Sequence, residues 1–209
     1  MSVVIFANGE LHHPEAARAL IARSNLIIAA DGGSRHCQAL GVIPHVLIGD
    51  MDSIEPELLQ EYEIAGAEIF HFPTRKDFND LELALRLAQE RGADEVVIVA
   101  ALGNRWDHTL VNVLLPAGQD FAGMRISLVD GPQEMLLVHA GRRLHVLGQP
   151  GDTVSLIPLA GDARGITTQG LEYPLEEGEL KFGSSRGVSN VLLGTEAQVW
   201  LREGLLLCV

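Results

Sequence analysis

The chain has 209 residues, 47% of them hydrophobic and 21% charged, with 22 glycines, enough for one large or two modest domains and too much punctuation for a helical bundle. A formal net charge of −13 repels nucleic acid and anionic membranes, so neither is expected as a partner. A phosphate-rich ligand would have to be held by local donors, backbone N–H groups or a metal. Cys37 and Cys208 show neither metal-ligand nor framework spacing, and the N-terminus carries no signal-peptide pattern, so a reducing, cytoplasmic setting is expected.

Residues 3–7 read as a buried strand ended by Asn8-Gly9. Pro14 suits the first turn of a helix running to about Arg23, where its missing N–H costs nothing. Residues 26–30 form a second apolar strand, followed directly by Asp31-Gly32-Gly33-Ser34. A helix through Cys37 and Leu40 stops at Gly41. Val46-Leu47-Ile48 is a third strand and runs into Gly49-Asp50-Met51-Asp52-Ser53. Glu55-Pro56 opens another helix, and residues 68–72 make a short strand. The best helix spans about residues 77–91, with Leu81, Leu85 and Ala88, flanked by Ala84 and Leu87, as an apolar stripe at helical spacing. Residues 95–101 form a strand that leads into Leu102-Gly103-Asn104-Arg105-Trp106-Asp107-His108 and a helix through Val111 and Leu115. A last strand, 125–129, ends in the turn Asp130-Gly131-Pro132.

Beyond that turn the pattern changes to short β segments near 135–138, 142–147, 153–158, 166–168, 179–182, 188–192, 197–201 and 205–209, with no helical stripe. The expected architecture is α/β plus β: a doubly wound, mostly parallel sheet over residues 1–132, then a sandwich or barrel over 133–209. The cleft between the two is expected to supply a second half of the site.

Four polar clusters follow strands: Asp31-Gly32-Gly33, Gly49 to Ser53, Lys76-Asp77-Phe78-Asn79-Asp80 across a short loop, and Gly103 to His108. In open parallel sheets ligands sit outside the carboxyl ends of the strands, so this placement marks a site. If the backbone stays extended past Gly49, Asp50 and Asp52 point the same way; Asp77 and Asp80 share a face of a helix start. Carboxylates gathered this way, with no Cys or His beside them, favour magnesium or calcium over zinc. Singly, each acid also serves as a cap or turn residue. The glycines of Asp31-Gly32-Gly33 suit either a phosphate lying against main-chain N–H groups or a tight strand-to-helix turn. Arg105 suits phosphate clamping or a local salt bridge with Asp107. His108 suits a helix-start hydrogen bond better than a general base, and Trp106 suits packing. The chain lacks the phosphate-loop lysine signature and the dinucleotide glycine fingerprint.

The ordered set of these four clusters, with Gly187-Val188-Ser189-Asn190 further on, resembles the thiamine pyrophosphokinase family over about residues 3–193. The resemblance implies ATP and thiamine as substrates, magnesium as cofactor, and a homodimer that holds thiamine between subunits. It implies magnesium ligands at Asp50, Asp52 and Asp80, and catalytic roles for Asp52, Asp80, Arg105 and Asp107. It places ATP at Asp31, Gly32, Gly33, Lys76, Gly103, Asn104, Arg105 and His108, and thiamine at Asp77, Asp80, Ser189 and Asn190. Two departures stand out: Val191-Leu192-Leu193 follows the Ser-Asn pair where the family often has an acid or aromatic, and Lys76 replaces the Gln of some relatives. A pyrophosphokinase for another heterocyclic alcohol, such as a pterin, and a non-catalytic nucleotide- or thiamine-binding protein are the alternative expectations.

Overall fold

Runs of Val, Ile and Leu with no polar alternation make strands that must be covered on both faces. The computed structural model describes residues 1–209, in two compact units, Met1–Glu134 and Met135–Val209. The first unit runs β1 (Ser2–Phe6), α1 (Pro14–Ile21), β2 (Leu26–Ala30), α2 (Ser34–Leu40), β3 (Val46–Gly49), α3 (Pro56–Ile64), β4 (Glu68–His71), α4 (Asp80–Glu90), β5 (Glu95–Val99), α5 (Trp106–Leu114) and β6 (Arg125–Asp130). These six strands are parallel, in the order β6-β5-β1-β2-β3-β4. All of β2 and β3 is buried, as the continuous apolar runs require. One core cluster of this unit joins Val4, Phe6, Ala29 and Leu47 to Cys37, Leu58 and Tyr62.

The strand order reverses at β1, whose neighbours β2 and β5 continue the chain in opposite directions across the sheet. A crevice belongs at the carboxyl ends of β1 and β5 for that reason. Here it is bridged by main-chain hydrogen bonds from Ala7 N to Val99 O (3.0 Å), Gly9 N to Ala100 O (2.7 Å) and Glu10 N to Leu102 O (2.7 Å). Gly9 is required there, because a Cβ would lie 2.2 Å from the Leu102 carbonyl oxygen.

The stripe of α4 behaves as its spacing predicts, with Leu81, Ala84, Leu85, Leu87 and Ala88 buried. Its start differs from the expected residue 77. The helix begins at Asp80, with Asn79 as N-cap: Asn79 Oδ1 accepts from Glu82 N at 2.8 Å. Asp77 lies outside the helix, exposed in the preceding loop.

The second unit is antiparallel and β-rich, with β7 (Gln133–His139) beginning at the boundary. It continues β8 (Arg143–Leu147), β9 (Thr153–Val154), β10 (Leu156–Pro158), β11 (Ala163–Gln169), β12 (Gly178–Leu180), β13 (Asn190–Val191), β14 (Glu196–Trp200) and β15 (Leu205–Cys208). Its strands pair as β10-β15-β7, β12-β11-β14-β8 and β13-β9. Val154, Leu156, Ile166, Leu180, Leu192, Val199 and Leu206 close its own core.

Candidate active site

Loops leave the carboxyl ends of β1, β2, β3 and β5 with one strained residue in each of the last three: Asp31 (φ 45°), Met51 (φ 63°) and Ala100 (φ 55°). A non-glycine residue in this region costs about 1–3 kcal/mol and persists only where surrounding structure holds it. At Met51 the strain has a visible product. The chain does not stay extended past Gly49; it turns, and Asp52 N donates to Asp50 Oδ1 at 3.3 Å. Asp50 and Asp52 are therefore brought together by a turn, which corrects the expected extended edge.

Oxygens of Asp31, Asp50 and Asp52 lie within 4.8 Å of one another. Asp31 is only 8% exposed. Its Oδ2 accepts from Asn8 Nδ2 at 3.2 Å, while Oδ1 has no hydrogen-bond partner. A buried carboxylate oxygen left without a donor is costly, and it lies beside two more acids. Such a set of hard oxygen donors fits a divalent cation of the magnesium or calcium kind. Asp80, expected in this set, is placed otherwise. Its Oδ1 is 2.9 Å from Lys76 Nζ, which also lies 4.0 Å from Asp50 Oδ2. Lys76 is 12% exposed, so part of the charge that the acids need is the protein's own ammonium. Burial pushes the Asp50 carboxyl up, but the Asp52 N–H, the Asp52 and Thr74 side chains and Lys76 outweigh it, leaving Asp50 below the ordinary carboxylate range.

A cavity of about 340 Å³ opens at the β1/β5 crevice, lined by Asn8, Gly9, Glu10, Asp31, Arg35, Asn79, Asp80, Gly103, Asn104, Arg105 and His108 among others. Asp31 thus belongs to both the acid group and the cavity wall. Of the residues expected at ATP, Asp31, Gly103, Asn104, Arg105 and His108 meet here. Gly32 and Gly33 do not face it. A Cβ at Gly32 would strike the Asn8 side chain at 2.2 Å, and one at Gly33 the Phe6 carbonyl at 2.1 Å. Both glycines serve the tight turn against β1, the plainer of the two expectations. Asp77 is not in the wall. Asp107 pairs with Arg105 on the exposed surface, and this guanidinium holds the Asp107 carboxyl well below its usual range. Trp106, expected to pack, is 85% exposed.

Sequence reasoning missed Asn8, Glu10 and Arg35. Arg35 Nη2 donates to Asn8 O (3.0 Å) and Gly9 O (2.8 Å), and Glu10 Oε1 accepts from Asn104 Nδ2 at 2.7 Å. Their one signal in the sequence is Asn8-Gly9 directly after a buried strand, a pair that by itself marks only a strand end.

In the second unit Ser189 (φ 62°) and Asn190 line a separate cavity of about 230 Å³ with Leu156, Tyr173, Leu175 and Leu180. Asn190 spends its amide locally: Oδ1 accepts from Tyr173 N at 3.0 Å and Nδ2 donates to Tyr173 O at 2.8 Å. The aromatic of this cavity is Tyr173, whose main chain Asn190 holds.

Acids suited to a hard cation, next to cations suited to phosphate oxygens at one sheet rim, define the class as nucleotide-dependent phosphotransferases. Comparison with known families narrows this. The catalytic-domain model of thiamin pyrophosphokinase matches residues 17–128, and the family's vitamin B1 binding-domain model matches residues 143–206. The chain belongs to the thiamin pyrophosphokinase family. Thiamine pyrophosphokinase of Bacillus subtilis (strain 168) is 28% identical over 184 residues, 88% of this chain and 86% of that protein. Thiamin pyrophosphokinase 1 of Caenorhabditis elegans is 25% identical over 97% of this chain and 85% of its own. The crystal structure of the Bacillus subtilis protein superposes with a TM-score of 0.87 at 26% identity, covering 100% of this chain and 97% of that one.

Proposed function

We propose that this chain transfers the pyrophosphoryl group of ATP to the hydroxyl of thiamine, giving thiamine diphosphate and AMP. What carries this is the gathering of Asp31, Asp50 and Asp52 oxygens within 4.8 Å at the rim of the parallel sheet, in a chain that matches both family domains.

Asp31, Asp50 and Asp52 would hold magnesium, the orphaned Oδ1 of Asp31 being one natural ligand. When bound, the ion neutralises phosphate charge. Asp80 is assigned to fixing Lys76, whose ammonium faces the acids and supplies positive charge beside the phosphate oxygens. Arg105 exchanges Asp107 for phosphate. Both are exposed in the pair, so the exchange costs little. Loss of that guanidinium lets the Asp107 carboxyl return toward its ordinary basicity, when it is able to take the hydroxyl proton. The thiamine oxygen then bonds to the β-phosphorus as the bond to the α,β-bridging oxygen breaks, with positioning and charge supplying the catalysis. Tyr173 and the leucines of the second unit's cavity offer an apolar face for the thiamine rings, with Ser189 at its edge.

The protein is also proposed to act as a homodimer in the cytoplasm. Trp106, Leu110 and Leu114, spaced by one helical turn on α5, are all exposed, and an apolar stripe of this kind favours a partner. No helix is long and apolar enough to cross a membrane.

The deciding experiment is incubation with ATP, magnesium and thiamine, with chromatography for thiamine diphosphate and AMP. Release of ADP, or product only with a pterin alcohol, would sink the assignment.

A further inference from the structure

Asp130, the last residue of β6, and Glu10, in the loop after β1, stand on either side of one imidazole. His12 Nε2 lies 3.0 Å from Glu10 Oε2, and its Nδ1 lies 3.2 and 3.4 Å from the two Asp130 oxygens. An ionised carboxylate only accepts hydrogen bonds. Both ring nitrogens must therefore carry hydrogen, and the form of His12 that satisfies this geometry is the imidazolium. The next residue fixes the register: a Cβ at Gly131 would come within 2.1 Å of the His13 ring, which packs over that glycine.

Glu10 links this pair to the cavity that it lines. Its Oε2 faces His12, and its Oε1 accepts from Asn104 Nδ2 at 2.7 Å. A carboxylate takes only donors, so the Asn104 amide is oriented with its nitrogen toward Glu10. Its Oδ1 then remains available as an acceptor. Asp130, His12, Glu10 and Asn104 thus form a continuous line over the carboxyl ends of β6, β1 and β5.

Resting on the assignment of this cavity to the nucleotide, we propose that His12, as the imidazolium, is a positioning residue that holds Glu10 against Asn104 and thereby sets nucleotide affinity. The charges that act on the ring are those of Glu10 and Asp130; the hydrogen bonds to both raise its pKa above the ordinary 6.5, Glu10 contributing most. Of the cations in the cavity wall, Arg35 is committed to the Asn8 and Gly9 carbonyls and Arg105 to Asp107, and His13 is turned to Gly131. The sign follows. The line is complete below pH 6.5 and is lost as pH rises through the raised value, because a neutral ring keeps one N–H and must release one carboxylate.

The test is nucleotide KM and kcat against pH at saturating magnesium in the wild type, His12→Ala and Asp130→Asn. The His12 ring is titrated by NMR in the wild type and in Asp130→Asn. Below the ring's midpoint, His12→Ala should raise nucleotide KM by about 3- to 10-fold, the size of one exposed charge-assisted hydrogen bond, with kcat within about twofold. That gap should close as pH rises. Asp130→Asn, remote from the nucleotide, should lower the ring's midpoint and move the KM break with it. An unchanged KM in His12→Ala, or a KM break that stays put while the NMR midpoint moves, overturns the inference. A wild type that takes no nucleotide at any pH overturns instead the assignment of the cavity, and this inference with it.

Discussion

Asp31 combines three features that rarely coincide: a left-handed backbone (φ 45°), near-complete burial and a carboxylate oxygen without a donor. Each is unfavourable alone, and together they point to a residue held for a ligand. Asp31→Asn removes one of three neighbouring negative charges. The metal-free variant should be as stable as the wild type or more so; if Asp31 holds magnesium as proposed, adding the ion should raise the Tm of the wild type and leave that of the variant unchanged. A thermal melt with and without magnesium reads both effects. Asp52→Asn should keep the fold and lower turnover by on the order of a hundredfold or more, as expected for a group stabilising transferred charge; near-normal turnover at saturating magnesium would remove Asp52 from the machinery. Burial pushes the Cys37 thiol up to about 12, so Cys37 should resist alkylation in the native protein and react only on unfolding, as mass spectrometry of labelled peptides will show. At this scale the acids of Gly49 to Ser53 were legible because a strand end followed by two acids is a local pattern. His12 and Asp130 were not, since 118 positions separate them and only the parallel sheet brings them to one rim.

Among the elements, α4 carries the most local information. Its buried stripe is written at helical spacing and needs nothing else to be read. Its start was harder to read: Asp77 and Asn79 are both residues that cap helices, and which one caps depends on how the loop from β4 crosses the sheet. Asn79→Ala removes the bond to Glu82 N (2.8 Å) and should cost about 1 kcal/mol, seen as a lower urea midpoint with an unchanged slope. The turn after β2 shows the opposite case. Gly33 taken alone favours a tight turn over phosphate clearance, but what it packs on cannot be read locally, since that neighbour is the Phe6 carbonyl on a different strand. The short segments of the second unit were legible as β but not in their bounds: residues 153–158 divide into β9 and β10, which pair with β13 and β15 respectively.

For the molecule as a whole, the change from strand–helix alternation to short punctuated strands was visible in sequence, because period and turn chemistry both change there. Which surface meets a partner was not, since an apolar residue on a helix reads the same whether it is covered by its own chain or by another. Leu110 and Leu114 were of that kind. If α5 forms the proposed dimer contact, Leu110→Glu should give a monomer in sedimentation while leaving the circular dichroism unchanged; a variant that remains dimeric moves the contact elsewhere.

The main-chain bonds that tie Gly9 and Glu10 to the loop after β5 have a kinetic consequence. Amides in connecting loops ordinarily trade their protons for solvent deuterium quickly, but these two can do so only when the middle of the sheet opens. They should therefore exchange as slowly as the amides of β1 itself, before any nucleotide is added. The floor of the cavity proposed for the nucleotide is in that sense already set before any ligand arrives.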